Sequence, residues 1–136
     1  MSSLRILETV LYAEDLGASH AFYRDVMGLE PFVTVEGRHL FYRCAGQVFL
    51  LFNPSATTEP PRDPALPVPP HGAFGPGHIC FAATAGEMDG WITRLADHGV
   101  AIEADFQWPQ GGRSIYFRDP AGNCLEFAEP RIWGIA

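Results

Sequence analysis

The sequence predicts an α+β fold made of two βαβββ modules, and three observations predict it. A strand, a helix and three further strands can be read in that order twice along the chain. A proline-rich tract separates the two copies, and short stretches recur at matching places: Phe41-Tyr42-Arg43 before Ala45-Gly46 mirrors Tyr116-Phe117-Arg118 before Ala121-Gly122. A half of this kind cannot cover its own sheet, so the two must pack or pair for either to be stable.

In the first module, residues 4–12 are apolar and β-branched enough for a strand, and Asp15 stands where a helix N-cap is wanted. Ala18, Ala21, Phe22 and Val26 then recur at helical spacing, and Gly28 is placed to end the helix. Strands are predicted at 31–35, 38–43 and 47–53, with turns at Glu36-Gly37 and Ala45-Gly46. Residues 54–76 are rich in Pro, Ser, Thr, Ala and Gly, and Pro60-Pro61 and Pro69-Pro70 argue against regular structure there. A loop this long suits a functional lid or a plain tether.

The second module repeats the order. Residues 77–83 form a strand, Thr84-Ala85-Gly86-Glu87 has the form of a capping box, and Met88, Trp91, Ile92 and Leu95 share one helix face before Gly99. Strands follow at 101–107, 113–118 and 123–128, with Gly111-Gly112 and Asp119-Pro120-Ala121-Gly122 as turns. The expected organisation is one domain: module one at 1–53, the loop at 54–76, module two at 77–130 and a tail at 131–136.

Composition narrows the function classes. With 136 residues, 47% of them hydrophobic and 18% charged, the chain has the material for one folded core. A net charge of −7 opposes binding to nucleic acid, and no basic cluster offsets it. The first residues lack the apolar stretch of a signal peptide, and no run approaches the roughly 20 apolar residues that span a bilayer, so a cytoplasmic protein is expected. Cys44, Cys80 and Cys124 lack any Cys-x-x-Cys spacing and read as buried, reduced thiols rather than nucleophiles.

Several segments carry a family likeness: Leu11-Tyr12-Ala13-Glu14-Asp15-Leu16, Phe22-Tyr23, Gly28-Leu29, Gly77-His78-Ile79-Cys80-Phe81, and Tyr116 through Phe127 with its Asp-Pro-x-Gly-Asn turn. On these the chain resembles the vicinal oxygen chelate superfamily, the group of glyoxalases, bleomycin-resistance proteins and extradiol dioxygenases. The resemblance implies that the modules build a curved, partly open mixed barrel sheet with helices outside. It also implies a small-molecule substrate and a homodimer, formed side by side or by exchange of modules.

In metal-using members each module lends a ligand from its first strand and often one from its last. Carried over position by position, these places are Glu8, His78 and Glu126, while the fourth falls on Leu50 or Leu51, neither of which can bind a metal. One imidazole and two carboxylates suit a single divalent ion such as Zn, Fe(II), Mn, Ni or Co, and three protein ligands leave positions open for substrate. The leucine departs from the four-ligand glyoxalase I pattern. Glu8 and Glu126 interrupt apolar strands, and burying two carboxylates without a cation is costly.

The expected chemistry is that of a lyase or isomerase in which the ion holds two neighbouring substrate oxygens and Glu126 or Glu8 serves as general base. Phe106, Trp108, Arg113 and Tyr116 flank the last hairpin and would suit an apolar substrate with an anionic or carbonyl end. Two other readings stand beside this one: a metal-free small-molecule binding protein of the bleomycin-resistance type, and an extradiol dioxygenase, against which the chain is short. Among the remaining histidines, His20 and His98 read as exposed, and His39 and His71 as structural or exposed.

Overall fold

The computed structural model describes residues 3–136. Contact density divides the chain into two compact units, Met1–Gly75 and Pro76–Ala136. The first contains β1 (Glu8–Tyr12), α1 (Leu16–Asp25), β2 (Val33–Val35), β3 (His39–Cys44), β4 (Gln47–Phe52) and a short α2 (Pro54–Thr57). The second contains β5 (His78–Ala82), α3 (Ala85–Asp97), β6 (Ala104–Gln107), β7 (Arg113–Arg118), β8 (Cys124–Ala128) and a 3-10 turn, Pro130–Trp133. Each unit holds one four-stranded mixed sheet, ordered β1-β4-β3-β2 and β5-β8-β7-β6, and neither sheet closes into a barrel. The first strand of each unit runs parallel to the last, and the other pairings are antiparallel.

Alternation along the strands gives each sheet two different faces. In the first unit Leu11, Leu40, Tyr42, Phe49 and Leu51 are buried on the face that carries α1, where the fully buried Tyr23 ring lies 5.7 Å from Tyr42 and 5.3 Å from Phe49. Asp15 caps α1, its Oδ1 accepting from the Ala18 amide at 3.0 Å. The buried positions of α1 are Leu16, Ser19, Phe22 and Tyr23 rather than the alanines, because the larger side chains take the sheet-facing sector. In the second unit Ile115, Phe117, Leu125 and Phe127 lie under α3, with Trp91 stacked on Phe127 at 4.6 Å. The predicted capping box of α3 is formed: Thr84 Oγ1 accepts from the Glu87 amide at 3.1 Å, and Glu87 Oε1 accepts from the Thr84 amide at 2.9 Å.

Three expectations need correction. β1 begins at Glu8 and not at residue 4, because its partner β4 only begins at Gln47; Leu4, Ile6 and Leu7 are left exposed. The proline-rich tract does contain regular structure, since Asn53 Oδ1 caps α2 at the Ser55 amide (3.0 Å) and Pro54 occupies a first-turn position where its missing N–H costs nothing. Cys80 is exposed and Cys44 and Cys124 are partly so; all three are free thiols, but none is fully buried.

The far end of that tract returns to the first sheet. The His71 amide donates to the Thr57 carbonyl at 2.9 Å, and the His71 ring meets the Tyr12 hydroxyl at 2.6 Å. In the second unit the Asp119–Asn123 turn fixes the height of β5 against β8. Asp119 Oδ1 accepts from the amides of Ala121 (3.0 Å) and Asn123 (2.9 Å), and Asn123 Oδ1 accepts from the Gly77 amide at 2.7 Å.

Two substitutions test this account of the packing. Asn123→Ala removes a buried side chain and leaves the Gly77 amide at the start of β5 without its acceptor, and should destabilise the chain by about 1–3 kcal/mol in urea unfolding. Tyr42→Phe should behave in the opposite way: the Tyr42 hydroxyl is buried without a partner, so its removal is expected to be neutral or stabilising by up to about 1 kcal/mol. A loss above that range in the same assay would mean that the hydroxyl is satisfied.

Candidate metal and ligand site

Register decides which side chains share a face. In the second sheet Cys80 pairs with Glu126, Glu126 with Tyr116, and Tyr116 with Ala104, so these lie in one row across the four strands. His78, two residues before Cys80, lies on the same helix-free face. In the first sheet Val10 pairs with Leu50, and Leu50 with Phe41. Leu50, not Leu51, therefore holds the place that Glu126 holds in the second sheet, and Glu8 holds the place of His78.

His78 and Glu126 meet, with Nε2 standing 3.3 Å from Oε1. The backbone sets the ring: His78 Nδ1 lies 2.8 Å from the Cys124 carbonyl, which can only accept, so Nδ1 carries a proton. In the neutral imidazole the lone pair is then on Nε2, directed at a carboxylate oxygen. Only a cation between the two atoms, a second proton or a metal ion, makes that approach favourable. Two donors each about 2.1 Å from one ion, at angles between octahedral and tetrahedral, stand about 3.0–3.4 Å apart. The observed separation fits that interval. The hydrogen bond from Nδ1 to a carbonyl is also the usual support for a metal-binding histidine.

Glu126 is buried, and its Oε2 has no hydrogen-bond partner. An orphaned carboxylate oxygen costs several kcal/mol, more than an orphaned hydroxyl, and so favours a ligand at this place. Glu8 differs from the expectation of burial: it is exposed, because it opens an edge strand. Among the described residues no group of three or more His, Cys, Asp or Glu side chains gathers to hold a metal. The second unit thus brings together two of the three predicted donors.

The neighbours of Glu126 stay protonated. Desolvation, with the Glu126 carboxylate as the next cause, pushes the Cys80 thiol up to about 12, although the residue is exposed at the sheet edge. A thiol held there is a poor nucleophile. Burial and then the same carboxylate push the Tyr116 phenol up to about 12, leaving a hydroxyl donor beside Glu126.

Three of the four predicted substrate-contacting residues form one aromatic shelf. Phe106 lies parallel to Tyr116 with ring centres 6.0 Å apart, Trp108 meets Phe106 edge to face at 4.8 Å, and His78 stacks on Tyr116 at 6.3 Å. Trp108 Nε1 donates to Ser114 Oγ at 2.8 Å, which fixes the indole. Arg113 does not join them. It stands three positions before Tyr116 on β7, so it points to the helix-covered face, bonded to Asp105 at 2.9 Å and to Asp89 of α3 at 2.8 Å.

Reasoning from sequence missed Cys80 as the cross-strand neighbour of Glu126, which the two-residue step from His78 would have given. His39 and His71, read as structural or exposed, are packed side chains: His39 is buried and His71 partly so. Both lie on the helix-free face of the first sheet, packed around Phe52 at ring distances of 5.7 and 4.8 Å.

Comparison with known proteins agrees with this architecture. The family model described as Glyoxalase/Bleomycin resistance protein/Dioxygenase superfamily matches residues 5–127. The crystal structure of a lactoylglutathione lyase from Agrobacterium tumefaciens is 44% identical in sequence, covers 99% of this chain and 100% of its own, and superposes with a TM-score of 0.90. A glyoxalase/bleomycin resistance protein/dioxygenase from Nocardioides shares 22% identity over 95% of this chain and 85% of its own, with a TM-score of 0.73. A fosfomycin resistance protein from Listeria monocytogenes, solved with Mn(II) and a dihydroxypropylphosphonic acid, shares 22% over 93% of this chain and 90% of its own, with a TM-score of 0.65. The last two are similar in fold alone. Given paired βαβββ units, a family match over most of its length and a relative at 44% identity, the chain belongs to the glyoxalase, bleomycin resistance protein and dioxygenase superfamily.

Proposed function

We propose that this protein is a metal-dependent lyase or isomerase of the glyoxalase type, acting on a small molecule with two adjacent oxygens. The observation that carries the reading is the His78–Glu126 approach at 3.3 Å, with the imidazole oriented by a backbone carbonyl and one carboxylate oxygen orphaned. The lactoylglutathione lyase at 44% identity supports this class over a passive binding protein and over a dioxygenase.

The residues that would hold the ion are His78 through Nε2, Glu126 and Glu8. A bound divalent ion would polarise the substrate oxygens and stabilise negative charge developing on them. Glu8, exposed on its edge strand, is available to complete the donor set in a homodimer. Leu50, at the place that Glu126 holds in the second sheet, offers no donor, so a three-ligand set would keep coordination positions for substrate.

The chain's own groups have separable tasks. Glu126 is the general base: the oxygen left free takes the proton from one of the two adjacent oxygen-bearing carbons and returns it to the other. The Tyr116 hydroxyl donates toward the same place and stays protonated through the neutral range. Phe106 and Trp108 floor the site and exclude water from the apolar part of the substrate. Arg113 holds β6, β7 and α3 together and takes no part in binding.

Metal analysis of the purified protein should find about one divalent ion per chain. That ion should be lost in His78→Ala and Glu126→Gln, with the circular dichroism spectrum unchanged. In an assay of S-lactoylglutathione formation, Glu126→Gln should lower kcat by roughly 10²-fold or more, in line with the joint loss of the ion and of the general base. A protein that binds no ion, and whose turnover survives chelation and Glu126→Gln, would remove this reading and leave the bleomycin-resistance type of binding as the better one.

A further inference from the structure

We propose that the helix-free face of the first sheet carries an anion site, formed by Arg38 and His39 and floored by Phe41 and Phe52, for a small-molecule carboxylate with a planar or apolar body. The inference needs neither an ion nor any residue of the second sheet, so it stands or falls apart from the function proposed above.

It begins with a guanidinium that lacks a counter-charge. The chain has 16 acidic and nine basic Lys or Arg residues, so carboxylates are in excess. Among the described residues Arg24, Arg113, Arg118 and Arg131 each form an ion pair, whereas Arg38 forms none; Arg43, over Phe32, also forms none but is exposed. Arg38 is nevertheless only partly exposed and well fixed. Its Nη1 lies 2.7 Å from His39 Nδ1, and its guanidinium carbon stands 5.6 Å from the centre of the Phe52 ring. A guanidinium keeps its charge across the working pH range, and its flat fork matches a carboxylate. A cation held against rings with no anion beside it is the complement of an anionic ligand.

His39 holds the guanidinium in place. It is buried and lies flat on Phe41, with ring centres 4.0 Å apart and planes 7° apart. Arg38 can only donate, so Nδ1 accepts and the ring proton sits on Nε2. Desolvation, then the Arg38 charge, lowers the basicity of His39 and keeps it in this neutral, singly donating form. A positive fork, held in place by the His39 ring, therefore stands beside two aromatic rings. On the other flank of Phe52 the Tyr12–His71 pair gives the floor a polar rim. No carboxylate takes part in the cluster, which argues against a cation as its ligand.

Titration calorimetry of the full chain tests the proposal, with benzoate as probe and a chelator present so that no ion captures the carboxylate. Benzoate should bind, and benzamide, its neutral isostere, should bind at least about tenfold more weakly. Arg38→Gln should lose about tenfold or more in benzoate affinity, His39→Gln severalfold, and Arg24→Gln nothing. Thermal melting identifies a variant that fails to fold; in that case the benzoate and benzamide arms on the unsubstituted chain decide. Undetectable benzoate binding at tens of millimolar, equal binding of benzamide, or full affinity in a folded Arg38→Gln would each overturn the site. Tighter binding of inorganic phosphate than of benzoate would overturn the carboxylate class.

Discussion

The arrangement of the second unit depends on one buried clamp, the acceptance of the Gly77 amide by Asn123 Oδ1 at 2.7 Å. β5 and β8 are parallel and far apart in the chain, so no tight turn can set their register. Asn123 does so because its own position is fixed by Asp119 through the Asn123 amide and side-chain nitrogen, at 2.9 and 3.0 Å. A slip of one residue would reverse every side chain of β5. Ile79 and Phe81 would leave the helix-covered face, and His78 would no longer meet Glu126. The Asp-Pro-x-Gly-Asn turn thus sets the register on which the His78–Glu126 pair depends.

The two sheets show how one backbone plan carries different chemistry. Their helix-covered faces are alike in kind: Leu11, Phe49 and Leu51 in the first, Leu125, Phe127 and Phe117 in the second, each packed against one helix. Hydrophobic burial constrains those faces and leaves the opposite ones free to diverge. At matching places of the helix-free faces, Glu8, Val10, Leu50 and Phe41 stand against His78, Cys80, Glu126 and Tyr116. The first sheet presents a guanidinium and imidazoles among rings, and the second an imidazole and a carboxylate beside rings.

What was legible in the sequence follows the range of the interaction that decides each feature. The capping box at Thr84 and Glu87 and the limits of β7 rest on contacts within a few residues, and they agree with the structure. α2 was misread because prolines were counted only as breakers, although one at the first helical turn is compatible with a helix. The face of Arg113 was legible in principle, since period-two alternation separates it from Tyr116, but grouping residues by nearness in sequence concealed this. The exposure of Glu8 and the contact of Arg38 with His39 were not legible. Edge-strand burial depends on what packs on the edge, and the direction of a long side chain leaving a turn is set by the rings it meets.

Three buried side-chain oxygens lack partners among the described residues: Ser19 Oγ, Tyr42 Oη and Glu126 Oε2. They do not have equal weight. Each hydroxyl costs about 1–3 kcal/mol, which a core rich in apolar contact can absorb. A carboxylate costs more and recovers the loss only through a cation or a strong donor. Its nearest groups, the Cys80 thiol and Tyr116 phenol, are weak acids held protonated by burial and by Glu126 itself; they offer it neutral donors but no counter-charge. The imidazole on its other side spends its fixed proton on a backbone carbonyl and turns a nitrogen toward the carboxylate. A proton on Nε2 would pair the imidazole with Oε1 alone, whereas a divalent ion can engage the nitrogen and the carboxylate and also offset the charge on the orphaned Oε2, which is the physical reason for reading this pair as ligands rather than as packing.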